Sequence, residues 1–265
     1  MADAKNVRQV AIDHHDSVVG TFEAYYRNLA QSRFTSAFTY GRAKLDRMID
    51  DLFRSLPKGA AVLDVGCGTG EHLKRAQSHG LVATGLEPAP GMLKVARSSV
   101  PEARLKQGVA TELPFEDEQF DAILQIEVLR YLHIDDIRKA LRESRRVLKP
   151  GGIFFVTLVN RWALDGFYLR QRTRQWRKGS EFDETNPYCE FFTPATAERE
   201  FRNAGFIAVR SEGRLLAPLR LIYKASPALG RRLASGLEKL DDRIHHWKWT
   251  RNFAGHLIVT GRAPK

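Results

Sequence analysis

Three glycines at alternate positions close an apolar run in the stretch Val62–Gly70, and a helix-forming segment follows at once. The run predicts a strand, the glycines a tight turn, and Glu71–Ala76 the first turns of a helix. At such a turn the helix presents free N–H groups, and glycine lets a ligand touch the backbone. The stretch therefore predicts a binding site for a flat, polar ligand.

An acidic residue follows the next predicted strand, because Leu81–Leu86 runs directly into Glu87. A carboxylate at this place can accept hydrogen bonds from both hydroxyls of a ribose. The spacing G-x-G-x-G differs from the G-x-G-x-x-G of dinucleotide-binding enzymes. Dinucleotide-binding enzymes also carry an acid at this place, so at this point a nicotinamide enzyme remains an alternative.

The remaining segments of this half of the chain distinguish a nicotinamide enzyme from another class of nucleoside-binding enzyme. Gly108–Phe115, Phe120–Gln125 and Leu148–Gly152 follow in that order. With them, residues 60 to 160 resemble the class I S-adenosylmethionine-dependent methyltransferases, in the broad subgroup that includes the ubiquinone-pathway enzymes. The resemblance implies S-adenosyl-L-methionine as the cofactor and S-adenosyl-L-homocysteine as its product.

The resemblance also implies a fold: an α/β, Rossmann-like, doubly wound sheet of seven strands whose last strand is antiparallel. We expect a single domain over residues 1–265. It would comprise a helical arm (1–57), a cofactor-binding half (58–160), a helical lid (161–192) and a substrate-side half with inserted helices (193–265). Apolar spacing predicts two helices in the arm, over 18–30 and 38–56.

Several residues take cofactor roles by this resemblance. Arg42 is expected on the cofactor's carboxylate, which a guanidinium fork suits, and Met92 is expected against the adenine. Tyr25 or Tyr26 in the arm is a further candidate contact. The predicted cofactor-binding residues are Arg42, Asp64, Gly66, Cys67, Gly68, Gly70, Glu87, Pro88, Met92, Ala110, Thr111 and Gln125.

One position departs from the family pattern near the adenine. Val109 stands where relatives usually carry Asp. The N–H of Ala110 can still bond the ring, and Thr111 or Glu112 are expected to replace the missing acceptor.

The end of the fourth predicted strand is expected to face the transferred methyl group. The ubiquinone-pathway enzymes have E-V-L-E-H here, whereas this chain keeps Glu127 and has Arg130 and Tyr131 for the second acid and the histidine. We therefore predict no metal. The candidate catalytic residues are His133, Tyr131 and Glu127, with Tyr188 and Glu190 as further candidates for a base, and His72 is expected on a helix surface.

Charge is distributed unevenly over the 265 residues, whose net charge is +11. Residues 1–160 carry 22 Lys and Arg against 20 Asp and Glu, and residues 161–265 carry 20 against 11. The basic excess of the second part suits an anionic substrate, a lipid surface in peripheral contact or a nucleic acid, or simply forms a solvated face. Two cysteines, no apolar leader and no long apolar run predict a cytoplasmic protein.

The predicted activity is O-methylation of a small-molecule or lipid-linked acceptor by direct in-line transfer. A base is needed only if the acceptor keeps its proton at neutral pH. N- or C-methylation of a small natural product remains an alternative, as does a non-catalytic cofactor-binding protein. An RNA methyltransferase is a further alternative, disfavoured because no RNA-binding domain is attached, so we do not expect nucleic acid as a partner. The oligomeric state is not predicted.

Overall fold

Short apolar runs separated by turn signals form the central sheet. The computed structural model describes residues 4–20, 35–164, 166–178, 188–214, 219–244 and 247–265. Across these described residues the strands are β1 (Ala61–Val65), β2 (Val82–Glu87), β3 (Arg104–Gln107), β4 (Phe120–Gln125), β5 (Leu148–Asn160), β6 (Phe191–Phe192), β7 (Ile207–Arg214) and β8 (His256–Arg262).

The sheet has the order β3-β2-β1-β4-β5-β8-β7, and the two-residue β6 pairs with β5 off this path. β1 to β5 run parallel to one another, whereas β8 is antiparallel to both of its neighbours. The predicted seven-stranded, doubly wound sheet with an antiparallel last strand is confirmed, with β6 as an addition. Strand order reverses between β1 and β4, the point at which such sheets bind ligands.

Helices cover both faces of the sheet. Their bounds are α1 (Ala4–Ser17), α2 (Ala37–Ser55), α3 (Glu71–Ser78), α4 (Pro90–Ser99), α5 (Ile134–Val147), α6 (Phe167–Lys178), α7 (Pro194–Asn203), α8 (Leu219–Ala225), α9 (Pro227–Ile244) and α10 (Lys248–Phe253). A single 3-10 turn, Leu129–Tyr131, connects β4 to α5. None of the helices in these ranges is long and apolar enough to cross a bilayer.

Alternation along the strands divides the core between two faces. Leu63 of β1 packs with Ile137 of α5 on one face, and Val62 packs with Ile49 of α2 on the other. Because both faces are covered, the central strands are nearly continuous in apolar residues.

The inserted helices α8 and α9 pack against α2. Tyr40 of α2, Tyr223 of α8 and Ala234 of α9 form a small buried cluster. The buried ammonium of Lys44 on α2 lies 3.0 Å from Asp242 Oδ1 on α9. The C-terminal insertion is thereby attached to the N-terminal arm.

The N-terminal arm differs from the prediction. The helix predicted over 38–56 is confirmed as α2, but most of the one predicted over 18–30, with Tyr25 and Tyr26, lies outside the described residues. The first helix described is α1, which sequence reasoning missed. Val7 and Ala11, both buried, lie one turn apart, but few large apolar residues accompany them.

Candidate active site

The glycine turn after β1 is held against the end of β2 by backbone hydrogen bonds. Gly66 N–H donates to Leu86 O at 2.7 Å, and Gly68 N–H donates to Glu87 Oε2 at 2.9 Å. Gly66 has φ +75°, and a Cβ there would lie 2.4 Å from Val128 Cγ2. Backbone conformation and close approach both require glycine at this position.

Glu87 joins the turn to the start of α4. Its second oxygen, Oε1, accepts the N–H of Ala89 at 3.0 Å. Burial raises the pKa of Glu87, while the N–H donors of Ala89 and Gly68 counteract that shift. Each carboxylate oxygen has a further lone pair, so the group can still accept hydrogen bonds from a ligand.

A pocket of about 370 Å³ opens beside this turn, at the carboxyl ends of β1, β2 and β4. The volume falls within the range of small-molecule sites. Ten of the predicted residues line it: Arg42, Gly66, Cys67, Gly68, Glu87, Pro88, Met92, Ala110, Glu127 and Tyr131. The backbone at Gly68 is open, because nothing lies within 4 Å of its Cβ position. Open backbone beside the Glu87 carboxylate suits an adenosyl ligand.

Five of the fifteen predicted cofactor-binding and catalytic residues lie outside the pocket lining, as do the further base candidates Tyr188 and Glu190. Three of the five make contacts that explain their position. Gln125 is fully buried in the sheet and donates from Nε2 to Ser144 Oγ at 2.9 Å. Gly70 caps α3, and a Cβ there would meet Val100 Cγ2 at 2.8 Å. His133 is the N-cap residue of α5, with Nδ1 3.6 Å from Asp135 Oδ2. The side chain of Gln125 thus lies in the core and not in the pocket lining.

The other two residues outside the lining are Thr111 and Asp64. Thr111 Oγ1 accepts a hydrogen bond from Arg8 Nη1 at 3.0 Å. Arg8 of the N-terminal arm, and not Thr111, therefore lines the pocket beside the loop after β3. Asp64 is buried beneath the glycine turn, and neither of its carboxylate oxygens has a hydrogen-bond partner in the described structure. Burial raises the pKa of Asp64 to about 7.

Arg42 and His72 form a hydrogen-bonded pair across α2 and α3. Arg42 Nε donates to Asp46 Oδ1 at 2.9 Å, and its Nη2 lies 3.0 Å from His72 Nε2. A guanidinium can only donate, so Nε2 accepts and the proton of the neutral ring is on Nδ1. The expected surface position of His72 is wrong: it is 6% exposed and lines the pocket. Burial, reinforced by Arg42 and Arg75, lowers the pKa of His72 well below its usual value.

The far end of the pocket is built around Glu127, which follows β4 with φ +60°. Its carboxylate accepts hydrogen bonds from Arg130 Nη1 at 2.8 Å and Thr157 Oγ1 at 3.0 Å. His256 Nδ1 lies 3.4 Å from Glu127 Oε1. Burial alone would raise the pKa of Glu127, but His256 and Arg130 outweigh it and hold that pKa well below its usual range. The carboxylate therefore stays ionised and paired.

Helix α1 supplies one wall of the pocket. Arg8, Ala11, Ile12 and His15 line it and share one face of the helix, at spacings of three, four and seven residues. This contribution was not predicted. Within the described ranges, no group of three or more His, Cys, Asp or Glu side chains is arranged to hold a metal ion.

Known proteins resemble the chain in sequence and in fold. The methyltransferase domain family matches residues 63–156. The ubiquinone biosynthesis O-methyltransferase of Azorhizobium caulinodans is 33% identical over 175 residues, which cover 63% of this chain and 66% of that protein. The Xanthomonas axonopodis pv. citri enzyme of the same name is 32% identical over 173 residues, covering 62% and 70%. The chain thus spans about two thirds of the length of these relatives.

Solved structures show the same fold at lower identity. An S-adenosylmethionine dependent methyltransferase from Mesorhizobium loti superposes with a TM-score of 0.56 at 21% identity, over 84% of this chain and 97% of that one. Phosphoethanolamine N-methyltransferase 2 from Haemonchus contortus, solved with S-adenosyl-L-methionine, gives a TM-score of 0.58 at 20% identity, over 84% and 53%.

Proposed function

Because the chain belongs to the class I S-adenosylmethionine-dependent methyltransferases, we propose that it O-methylates a small-molecule or lipid-linked acceptor by direct in-line transfer. The cofactor, when bound, supplies an electrophilic methyl group on a sulfonium sulfur. The protein's task is then to hold the acceptor oxygen in line with that group and to exclude water. Such positioning can contribute roughly 7–11 kcal/mol to lowering the barrier.

The observation that carries this proposal is one continuous pocket. Its lining runs from the glycine turn and Glu87 to Glu127, Arg130 and Tyr131 beyond β4. An adenosyl ligand at the first end would direct its reactive group toward the second.

At the cofactor end, Glu87 would accept hydrogen bonds from the ribose hydroxyls. The glycine turn would lie against the methionine part of the cofactor. Arg42, oriented by Asp46 and His72, would bind the cofactor's carboxylate. Met92 and Ala110, which both line the pocket, would contact the adenine.

At the acceptor end, the charges favour a small anionic acceptor. Arg130 and Arg214 line this end together with the Glu127 carboxylate, so the guanidinium groups exceed the acid by one positive charge. Relatives of about one-third identity that carry the name O-methyltransferase support oxygen as the methylated atom. A lipid-linked acceptor is supported by the basic second part of the chain.

The test is methyl transfer from isotope-labelled S-adenosyl-L-methionine by the purified full chain. Phenolic and carboxylated small molecules, a lipid extract and tRNA are offered in parallel, and mass spectrometry identifies the labelled atom. We expect label on oxygen in a small or lipid-soluble product, and no product from Glu87→Ala. Label on nitrogen, on carbon or in tRNA contradicts the proposal.

A further inference from the structure

Strand β8 begins at the pocket, beside the loop that follows β4. Its first residue, His256, pairs with Val159 of β5 and with Arg214 of β7. Because β8 is antiparallel to β5, its start lies at the same edge of the sheet as the carboxyl ends of the parallel strands, where such sheets bind ligands. His256 lines the pocket there, and 23% of its side chain is exposed. The antiparallel last strand thus brings a histidine from near the end of the chain to the acceptor end of the site.

One carboxylate determines which ring nitrogen of His256 carries the proton. Nδ1 lies 3.4 Å from Glu127 Oε1. The low pKa of Glu127 keeps it ionised, and an ionised carboxylate can only accept a hydrogen bond. The proton of the neutral ring is therefore on Nδ1, and the basic lone pair is on Nε2. This separation is long for a hydrogen bond, as is common for catalytic pairs before the substrate binds.

Glu127 is itself held by groups from two other elements. Thr157 Oγ1 on β5 donates to Glu127 Oε1 at 3.0 Å, and Arg130 Nη1 on the 3-10 turn donates to Oε2 at 2.8 Å. Glu127 also has φ +60°, a conformation that is unfavourable for a residue other than glycine and that occurs often at functional sites. A histidine with a fixed carboxylate at Nδ1 is the base of the Ser-His-Asp triad, in which the acid sets the tautomer.

Charged side chains reach the surroundings of His256 from three other parts of the chain. Glu127 and Arg130 come from the segment after β4, and Arg214 comes from β7. Arg214 lies 3.7 Å from Glu212 Oε2 on its own strand and 3.7 Å from Asp242 Oδ1 on α9. Each guanidinium therefore lies beside a carboxylate, and Glu127 is the acid that is in contact with the ring.

The candidates considered from sequence are poorer bases. Glu127 is paired, and its lowered pKa makes it a weak base. Burial raises the pKa of Tyr131, which keeps its proton at neutral pH. His133 lies outside the pocket lining, and His72 uses Nε2 to accept from Arg42.

We propose that His256 is the general base of the reaction, taking the proton of an acceptor hydroxyl at Nε2, and that Glu127 is its positioning residue. The inference rests on the O-methylation proposed above. As the acceptor oxygen forms its bond to the methyl carbon, its proton passes to Nε2, and the electron pair of the broken S–C bond stays on the sulfur. The imidazolium then releases its proton to solvent. The acceptor class is accordingly an alcohol or phenol that is protonated at neutral pH.

The first measurement needs no acceptor. Long-range ¹H–¹⁵N NMR of the full chain saturated with S-adenosyl-L-homocysteine, assigned with His256→Gln, reports the protonation of each ring nitrogen. At about pH 8, the upper end of the interval in which histidine side chains change charge, we expect a proton on Nδ1 and none on Nε2. A proton on Nε2 at this pH, in either the other tautomer or the imidazolium, overturns the proposal.

The second measurement is kcat/KM between about pH 5 and 8 with the acceptor found in the labelling experiment. We expect wild-type kcat/KM to fall toward acid pH, because a protonated Nε2 cannot accept the proton of the hydroxyl. At about pH 8, His256→Gln should lose about 10²- to 10⁴-fold in kcat/KM. This variant should also lose the fall toward acid pH, while its affinity for S-adenosyl-L-homocysteine stays within about threefold of wild type.

His79→Gln is the matched control. The His79 side chain is also 23% exposed, and its Nε2 lies 3.1 Å from Asp50 Oδ1, but it lies outside the pocket lining. The variant should keep wild-type kcat/KM and the wild-type pH profile. Equal losses in His79→Gln and His256→Gln would contradict the proposal.

Two further kinetic results overturn the proposal: a His256→Gln enzyme within about threefold of wild-type kcat/KM, or loss of the acid-side fall in His15→Gln and not in His256→Gln. Failure of the proposed function looks different. There, the wild type binds S-adenosyl-L-homocysteine but methylates no hydroxyl, and the role of His256 as a base is overturned together with that function. A wild type that methylates a hydroxyl, with an unimpaired His256→Gln variant, overturns the role of His256 alone.

Discussion

At the scale of single residues, the cofactor end of the pocket depends on side chains held by partners from other elements. Arg42 is oriented by Asp46 on its own helix and by His72 on α3. Glu87 is bonded to the N–H groups of two separate loops. The sequence predicts that Arg42 and Glu87 bind the cofactor, but it does not predict which residues hold them in place.

Arg42→Gln should weaken binding of S-adenosyl-L-homocysteine about 10- to 100-fold, since hydrogen bonds to a charged group contribute about 1.5–3 kcal/mol. Binding of 5′-methylthioadenosine, which lacks the carboxylate, should change little. Isothermal titration calorimetry measures both. Arg54→Gln, on the exposed side of α2, is the matched control. Equal losses for the two ligands would contradict a carboxylate contact.

Asp64 predicts a pH dependence of stability. Its pKa in the folded chain is about 7, above its ordinary value near 4. The folded chain therefore holds a proton that the unfolded chain releases, so this group makes the free energy of unfolding fall as pH rises from about 4 to 7. Asp64→Asn should remove this dependence, gaining on the order of a few kcal/mol relative to wild type over that interval. Urea unfolding of both proteins across that range measures it, and parallel profiles would refute the prediction.

At the scale of elements, the glycine turn is formed by one contiguous stretch, whereas the wall opposite it comes from α1 and α2. The turn and the strands on either side of it were predicted because apolar runs and glycine spacing are local signals. The face of α1 was missed because its pocket-lining residues, Arg8, Ala11, Ile12 and His15, are not an apolar stripe. They line the pocket, and none of them belongs to the core clusters of the described residues.

Gly66→Ala should destabilise the fold by about 1–3 kcal/mol, because it combines a positive φ with a Cβ placed 2.4 Å from Val128 Cγ2. Adding Val128→Ala to this variant should recover the share of the lost unfolding free energy that comes from the steric contact. Gly59→Ala is the matched control, since Gly59 has φ +78° with nothing within 4 Å of its Cβ position. Chemical denaturation gives the three free energies. If Gly66→Ala costs no more than Gly59→Ala, the contact with Val128 does not constrain the turn.

At the scale of the whole molecule, α9 carries exposed leucines next to exposed basic side chains. One face packs on α2 through Ala234 and through the Arg47–Glu238 ion pair. The opposite face exposes Leu229, Leu233 and Leu240. Exposed Arg232, Lys239 and Arg243 flank this leucine stripe. The arrangement suits an anionic lipid surface.

Replacing all three leucines of the stripe by Gln should weaken binding to vesicles of phosphatidylcholine with phosphatidylglycerol by about tenfold or more, since each buried leucine contributes on the order of 1 kcal/mol. Vesicle co-sedimentation measures this, and wild-type binding should fall as salt rises. Val82→Thr, an exposed apolar residue on β2, is the control. Equal sedimentation of the wild type with pure phosphatidylcholine would contradict an electrostatic contribution.

Sequence by itself determined the sheet, the glycine turn and the acid at the end of β2, since each is encoded within a few consecutive residues. It also determined the family, because those segments occur in one order. Only the tertiary structure decided that His72 is buried against Arg42, that Gln125 serves the core and that His15 faces the pocket. These positions depend on which distant elements pack together, and burial and hydrogen-bond partners are set by that packing and not by local pattern.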